Sequence, residues 1–115
     1  MDNLERLRDQ LRSFAAERDW DQFHSPKNLS AALAVEAAEL LEIFQWLTEE
    51  QSRQLPADTL DSVKEEVADV LLYLIRISDK LGIDLIAAAQ AKLLLNAKKY
   101  PVAMSRGTSA KYDKL

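Results

Sequence analysis

Apolar side chains recur every three or four residues almost from end to end of this sequence, and only two glycines and three prolines in 115 residues interrupt them. That spacing lays a stripe along one face of an α-helix, and so few turn signals leave a many-stranded β architecture without corners. Leu4, Leu7, Leu11, Phe14 and Ala15 mark a first amphipathic helix over about residues 3–18. Residues 19–28 lose the period, contain Pro26 and read as a loop that gathers Trp20, Phe23 and His24. A second helix is expected from about 29 to 49, capped by Asn28 or by Ser25 with Pro26 in its first turn. After a polar connection over 51–58, a third helix is expected over about 59–81, stopped by Gly82. Asp84 caps a fourth helix that runs to about Tyr100 and ends at Pro101. The last fourteen residues carry no period and read as an extended arm. The expectation is an all-α chain, a four-helix bundle with a C-terminal arm, forming a single domain over 1–115. A domain of this size buries a modest core, so assembly into dimers or tetramers is expected.

Composition removes several kinds of chemistry. Without cysteine there is no thiol nucleophile, disulfide scaffold or Cys-based metal site, and a single histidine rules out His-rich metal sites and His-pair chemistry. No apolar run approaches the roughly 20 residues of a membrane span, and no signal-peptide pattern opens the chain, so a cytoplasmic protein is expected. Charge is distributed unevenly about a net of −4. Residues 98–115 hold five basic side chains against Asp113, whereas 28–70 hold ten acids against Arg53 and Lys64. Such an acidic body disfavours nucleic acid as a partner but suits a cation.

Two carboxylate pairs stand where apolar residues belong. The stripe of the second helix reads Leu29, Ala32, Leu33, Glu36, Leu40, Ile43, Leu47, with Glu39 one turn after Glu36. The third helix repeats the pattern: Val63, Glu66, Val67, Val70, Tyr73, Leu74, Ile77, with Asp69 one turn after Glu66. A carboxylate facing an apolar interior is costly unless it is paired or binds a metal. A lone Glu-x-x-Glu in a helix is ordinarily a solvated face. Here the stripe placement, the duplicated spacing and the shortage of nearby cations favour a shared divalent ion, and oxygen-only ligands favour Mg²⁺, with Mn²⁺ as a surrogate. A di-iron bundle calls for Glu-x-x-His pairs, which a single loop histidine does not supply.

Glu36-x-x-Glu39, twenty-six residues, then Glu66-x-x-Asp69 resembles the signature of the all-α NTP pyrophosphohydrolases, the MazG-like superfamily. The Trp20-Asp21-Gln22-Phe23-His24 loop, Phe44-Gln45-Trp46, Tyr100-Pro101, Ser105-Arg106-Gly107 and Lys111-Tyr112 resemble its dCTP pyrophosphatase branch, over nearly the whole chain. The resemblance implies a Mg²⁺-dependent enzyme that cuts a nucleoside triphosphate between the α and β phosphates, releasing monophosphate and pyrophosphate in house-cleaning of the nucleotide pool. It implies Glu36, Glu39, Glu66 and Asp69 as metal ligands, Trp20 to His24 with Trp46 and Tyr73 as nucleotide-binding positions, and a tetramer or dimer of dimers with sites built across subunits. From spacing alone Trp46 and Tyr73 read as core residues. One departure stands out: Leu11 occupies the position of a family histidine in the first helix, which leaves base and sugar preference open.

The residues fit that chemistry on their own terms. Phosphoryl transfer needs charge neutralisation and a positioned water rather than a covalent nucleophile, and no nucleophile–base pair is evident. Glu36 or Glu39 is the candidate general base. Lys92, Asn96 and Arg106 are candidate triphosphate contacts, although cations at a helix end also suit its dipole. Two rival readings remain: a catalytically silent helical module that binds nucleotide or regulates, and a Mg²⁺-dependent phosphatase that releases inorganic phosphate.

Overall fold

The computed structural model describes residues 2–115, which are helical with no strand among them. Six α-helices follow in order: α1 (Asn3–Glu17), α2 (Pro26–Phe44), α3 (Glu49–Arg53), α4 (Ala57–Lys80), α5 (Leu85–Lys99) and α6 (Val102–Ser105). Two 3-10 turns cover Asp21–Phe23 and Tyr112–Lys114. The all-α expectation holds. The chain divides into two compact units, one ending at Gly82 and one over Ile83–Leu115.

In the first unit α4 is the central element, with α2 packed along it and α1 against it. Among the described residues Leu29 on α2 is the one large side chain that is fully buried; Ala15 of α1 and Ile75 of α4 complete a small apolar core. Helix starts follow local chemistry. Asp2 and Glu5 form a reciprocal capping box at α1. At α2 the Ser25 hydroxyl accepts from the Asn28 amide at 3.1 Å with Pro26 in the first turn, which decides between the two expected caps and moves the start ahead of Leu29.

The sequence period also ran past the true end of α2. The helix stops at Phe44 because Thr48 opens a new one, its hydroxyl accepting from the Gln51 amide while the Gln51 side chain accepts from the Thr48 amide. Part of the expected polar connection is therefore α3.

The end of α1 shapes the loop. The Trp20 amide donates to the Ala15 carbonyl and the Asp19 amide to that of Ala16, the paired bonds of a Schellman motif. That geometry needs positive φ at its middle residue, and Asp19 supplies it at 55°, where glycine is usual. The Gln22 amide side chain donates to both the Asp19 carbonyl and its carboxylate, holding the bend. Gly82 plays the corresponding part after α4, with φ 66°.

The second unit consists of α5, capped by the Asp84 carboxylate on the Ala87 amide at 3.1 Å, followed by α6 and the Tyr112–Lys114 turn. Those two short helical pieces lie in the stretch expected to be an extended arm, and both are too short to show a hydrophobic period.

Candidate functional site

The facing sides of α2 and α4 bring three carboxylates together. One oxygen from each of Glu36, Glu39 and Glu66 lies within 4.8 Å of the others. Oε2 of Glu36 and Oε2 of Glu66 are buried with no hydrogen-bond partner, and no lysine or arginine among the described residues pairs with any of the three. Buried carboxylate oxygens without donors are a costly arrangement in a metal-free chain. Glu36 is accordingly held above the usual carboxylate range, first because Glu66 opposite it favours a shared proton, then because of burial and the charge of Asp69. Glu39 is raised as well, chiefly by Glu36. An oxygen-only donor set, short of hydrogen bonds and cations, fits a hard divalent cation. Asp69 stands outside the three-oxygen group, one turn beyond Glu66 on α4, and is coupled to it through its charge on Glu36.

A pocket of about 210 Å³ adjoins Asp69. Leu11, Phe14 and Ala15 of α1 form one wall; Asp69, Leu72, Tyr73 and Arg76 of α4 form another; Trp20 and His24 close it from the loop. The lining is mostly apolar with a few polar groups, the usual make-up of a small-molecule site. The Schellman turn sets Trp20 edge-on to Phe14, ring centroids 5.7 Å apart, and the Trp20 and His24 rings are 6.5 Å apart. Leu11 gives the pocket an apolar wall where the family resemblance expects an imidazole.

The remaining loop positions hold the loop together. Asp21 accepts from Arg76 Nη2 at 2.6 Å and pairs with Lys80, which keeps its carboxyl below the usual range, the Lys80 hydrogen bond contributing most. Gln22 is engaged with Asp19, and Phe23 is largely exposed with its carbonyl accepting from the Asn28 side chain. Trp46, just past α2, is 87% exposed and outside the pocket. In the second unit Lys92 and Asn96 lie one turn apart on α5, and Arg106 caps α6.

Sequence reasoning passed over Arg76. It is buried, and its guanidinium reaches Asp21, His24 Nδ1 (3.1 Å from Nε) and Asp79, whose carboxylate is clamped in turn by Arg12. The signal was available: a lone cation inside the run Tyr73-Leu74-Ile75-Arg76-Ile77 is as anomalous there as the carboxylates are in their stripes.

Comparison with known proteins then decides the family, because the MazG-like family model matches residues 31–115. The chain belongs to the MazG-like family. This MazG-like chain is 43% identical over 114 residues to dCTP pyrophosphatase 1 of Mus musculus, an alignment covering 97% of the chain and 67% of that protein. It is 40% identical to dCTP pyrophosphatase 1 of Homo sapiens over the same shares of each. Among solved structures, a pyrophosphatase from Archaeoglobus fulgidus superposes with a TM-score of 0.82 at 40% identity, covering 88% of this chain and 94% of that one. No helix among the described residues is long and apolar enough to cross a membrane.

Proposed function

We propose that the chain is a cytoplasmic nucleoside triphosphate pyrophosphohydrolase that cleaves dCTP, or a related or base-modified deoxynucleotide, to the monophosphate and pyrophosphate. The observation that carries the proposal is the carboxylate cluster with two buried, partnerless oxygens, joined through Asp69 to a pocket of nucleobase size. The names of the relatives support the bond and the base.

Glu36, Glu39 and Glu66, with Asp69, are the residues that would hold Mg²⁺. When bound, Mg²⁺ supplies neutralisation of phosphate oxygens and acidification of a nearby water. Glu36 or Glu39 accepts the proton of the water that attacks the α-phosphorus. Trp20 and Tyr73 take the base by stacking, an interaction worth about 1–3 kcal/mol per base. Trp46, Lys92, Asn96 and Arg106 are assigned to the nucleotide from the family resemblance and charge pattern alone.

We also propose a homo-oligomer, dimer or tetramer, in which the chain acts as one functional domain. The family match across residues 31–115 supports the second part. The first is supported by large side chains left exposed in a single copy, Trp46 at 87%, Leu93 at 70% and Leu94 at 69% among them.

The test is to incubate purified protein with each common NTP and dNTP plus Mg²⁺ and separate the products by ion exchange. Monophosphate and pyrophosphate, with dCTP preferred, are expected. Diphosphate and phosphate would keep the cluster but move the cut to another bond. Nucleotide binding without turnover of any substrate would favour the silent module.

A further inference from the structure

Arg76 is a buried cation in the pocket wall, outside the carboxylate cluster, and its partners explain its place. Its guanidinium is pinned by Asp21 at 2.6 Å and by Asp79 at 3.7 Å, and Asp79 is itself clamped by Arg12. That leaves Nε–H aimed at Nδ1 of His24 at 3.1 Å. An arginine Nε–H can only donate, so Nδ1 has to present its lone pair. A ring proton on Nδ1 would point at another donor, which excludes both the opposite tautomer and the imidazolium. The proton of the neutral ring then sits on Nε2, and among the described residues no protein group accepts from it. His24 lines the pocket beside Trp20, so its unpartnered Nε2–H is the edge left for a ligand.

We propose that Arg76 is a positioning residue that locks His24 in the Nε2–H tautomer, so that the pocket offers a fixed hydrogen-bond donor to an acceptor on the ring of the bound base. The proposal rests on the nucleotide reading above and adds a specificity element to it: the ligand must present a carbonyl oxygen or an unprotonated ring nitrogen of the base where His24 meets it. Arg76 lines the same pocket, but its guanidinium is already engaged by Asp21, Asp79 and His24, so its effect on the ligand runs through His24. The planar fork matters as much as the charge, because one lysine ammonium cannot hold Asp21 and the imidazole in the same plane.

The chain has one histidine, so histidine-selective nitrogen NMR of the whole protein at pH 7 reads this ring alone. An unprotonated, pyridine-type Nδ1 and a protonated, pyrrole-type Nε2 are expected; a protonated Nδ1 or a mixture of tautomers in the wild-type protein overturns the proposal even if every Arg76 variant fails to fold. Arg76→Lys should release the ring into a tautomer mixture and raise KM for dCTP by roughly threefold to tenfold, the loss of one hydrogen bond, with kcat changed by less than about twofold. In a His24→Leu background the same substitution should leave KM unchanged, because its only route to the ligand is gone. Additive effects of the two substitutions overturn the proposal. Absence of both binding and turnover of every NTP and dNTP by the wild type instead strikes down the nucleotide reading, and with it the ligand role of His24, whatever the spectrum shows.

Discussion

Glu36 shows how a single side chain can be unfavourable for the fold and useful to the site. Its folded-state pKa is raised, so the stability linked to it is present below the unfolded value and is lost as pH rises through the folded one. At neutral pH the metal-free chain therefore carries a strained carboxylate cluster. Glu36→Gln is expected to raise the melting temperature of metal-free protein at pH 7 while abolishing the upward shift that Mg²⁺ gives the wild type, both read by differential scanning calorimetry. A wild-type melting temperature indifferent to Mg²⁺ would contradict this. The carboxylates were legible because an acid on an apolar stripe breaks a periodic pattern. Arg76 broke a pattern in the same way, but its partners are 52 and 55 residues distant, and no local spacing links it to His24 or Asp21.

Among the elements, α4 does most to position the site: Glu66, Asp69, Tyr73 and Arg76 lie along it within three turns. Its tie to α1 runs through Arg12 and Asp79. The Asp79 carboxyl is held below the usual range, the Arg12 hydrogen bond being the largest cause, so its contribution to stability is present above the unfolded pKa and disappears as pH falls through the depressed one. Arg12→Leu should therefore melt a few degrees below the wild type at pH 7, with the gap closing as the pH is lowered below about 4, as followed by circular dichroism. A gap constant across that range would mean the pair does not act through charge. Helix identity was legible from the apolar period and helix ends only in part. Thr48-x-x-Gln51 is a capping-box signature that a continuing apolar stripe masked, and Asp19 took a left-handed position that sequence leaves to glycine. Trp20 owes its place in the pocket to that turn, a tertiary consequence of one backbone angle.

A small core and many exposed apolar side chains set the terms for the protein as a unit. Burying a run such as Leu93, Leu94 and Leu95 on α5 against another copy is the economical outcome, and Leu94→Glu is expected to shift the light-scattering mass toward smaller species. An unchanged mass would place the contact elsewhere. Size alone led to the expectation of assembly; it named no surface for it, because apolar residues at helical spacing serve core and interface alike. The central claim is that carboxylates from two facing helices act together on one phosphoanhydride. It is tested most directly by steady-state hydrolysis of dCTP with Mg²⁺ by Glu66→Gln beside the wild type. Loss of the charge that α4 contributes to the cluster should lower kcat by on the order of a thousandfold, matching several kcal/mol of lost transition-state stabilisation. A kcat within about twofold of the wild type would contradict the account, since a cluster that turns over without Glu66 is not the one described by its geometry.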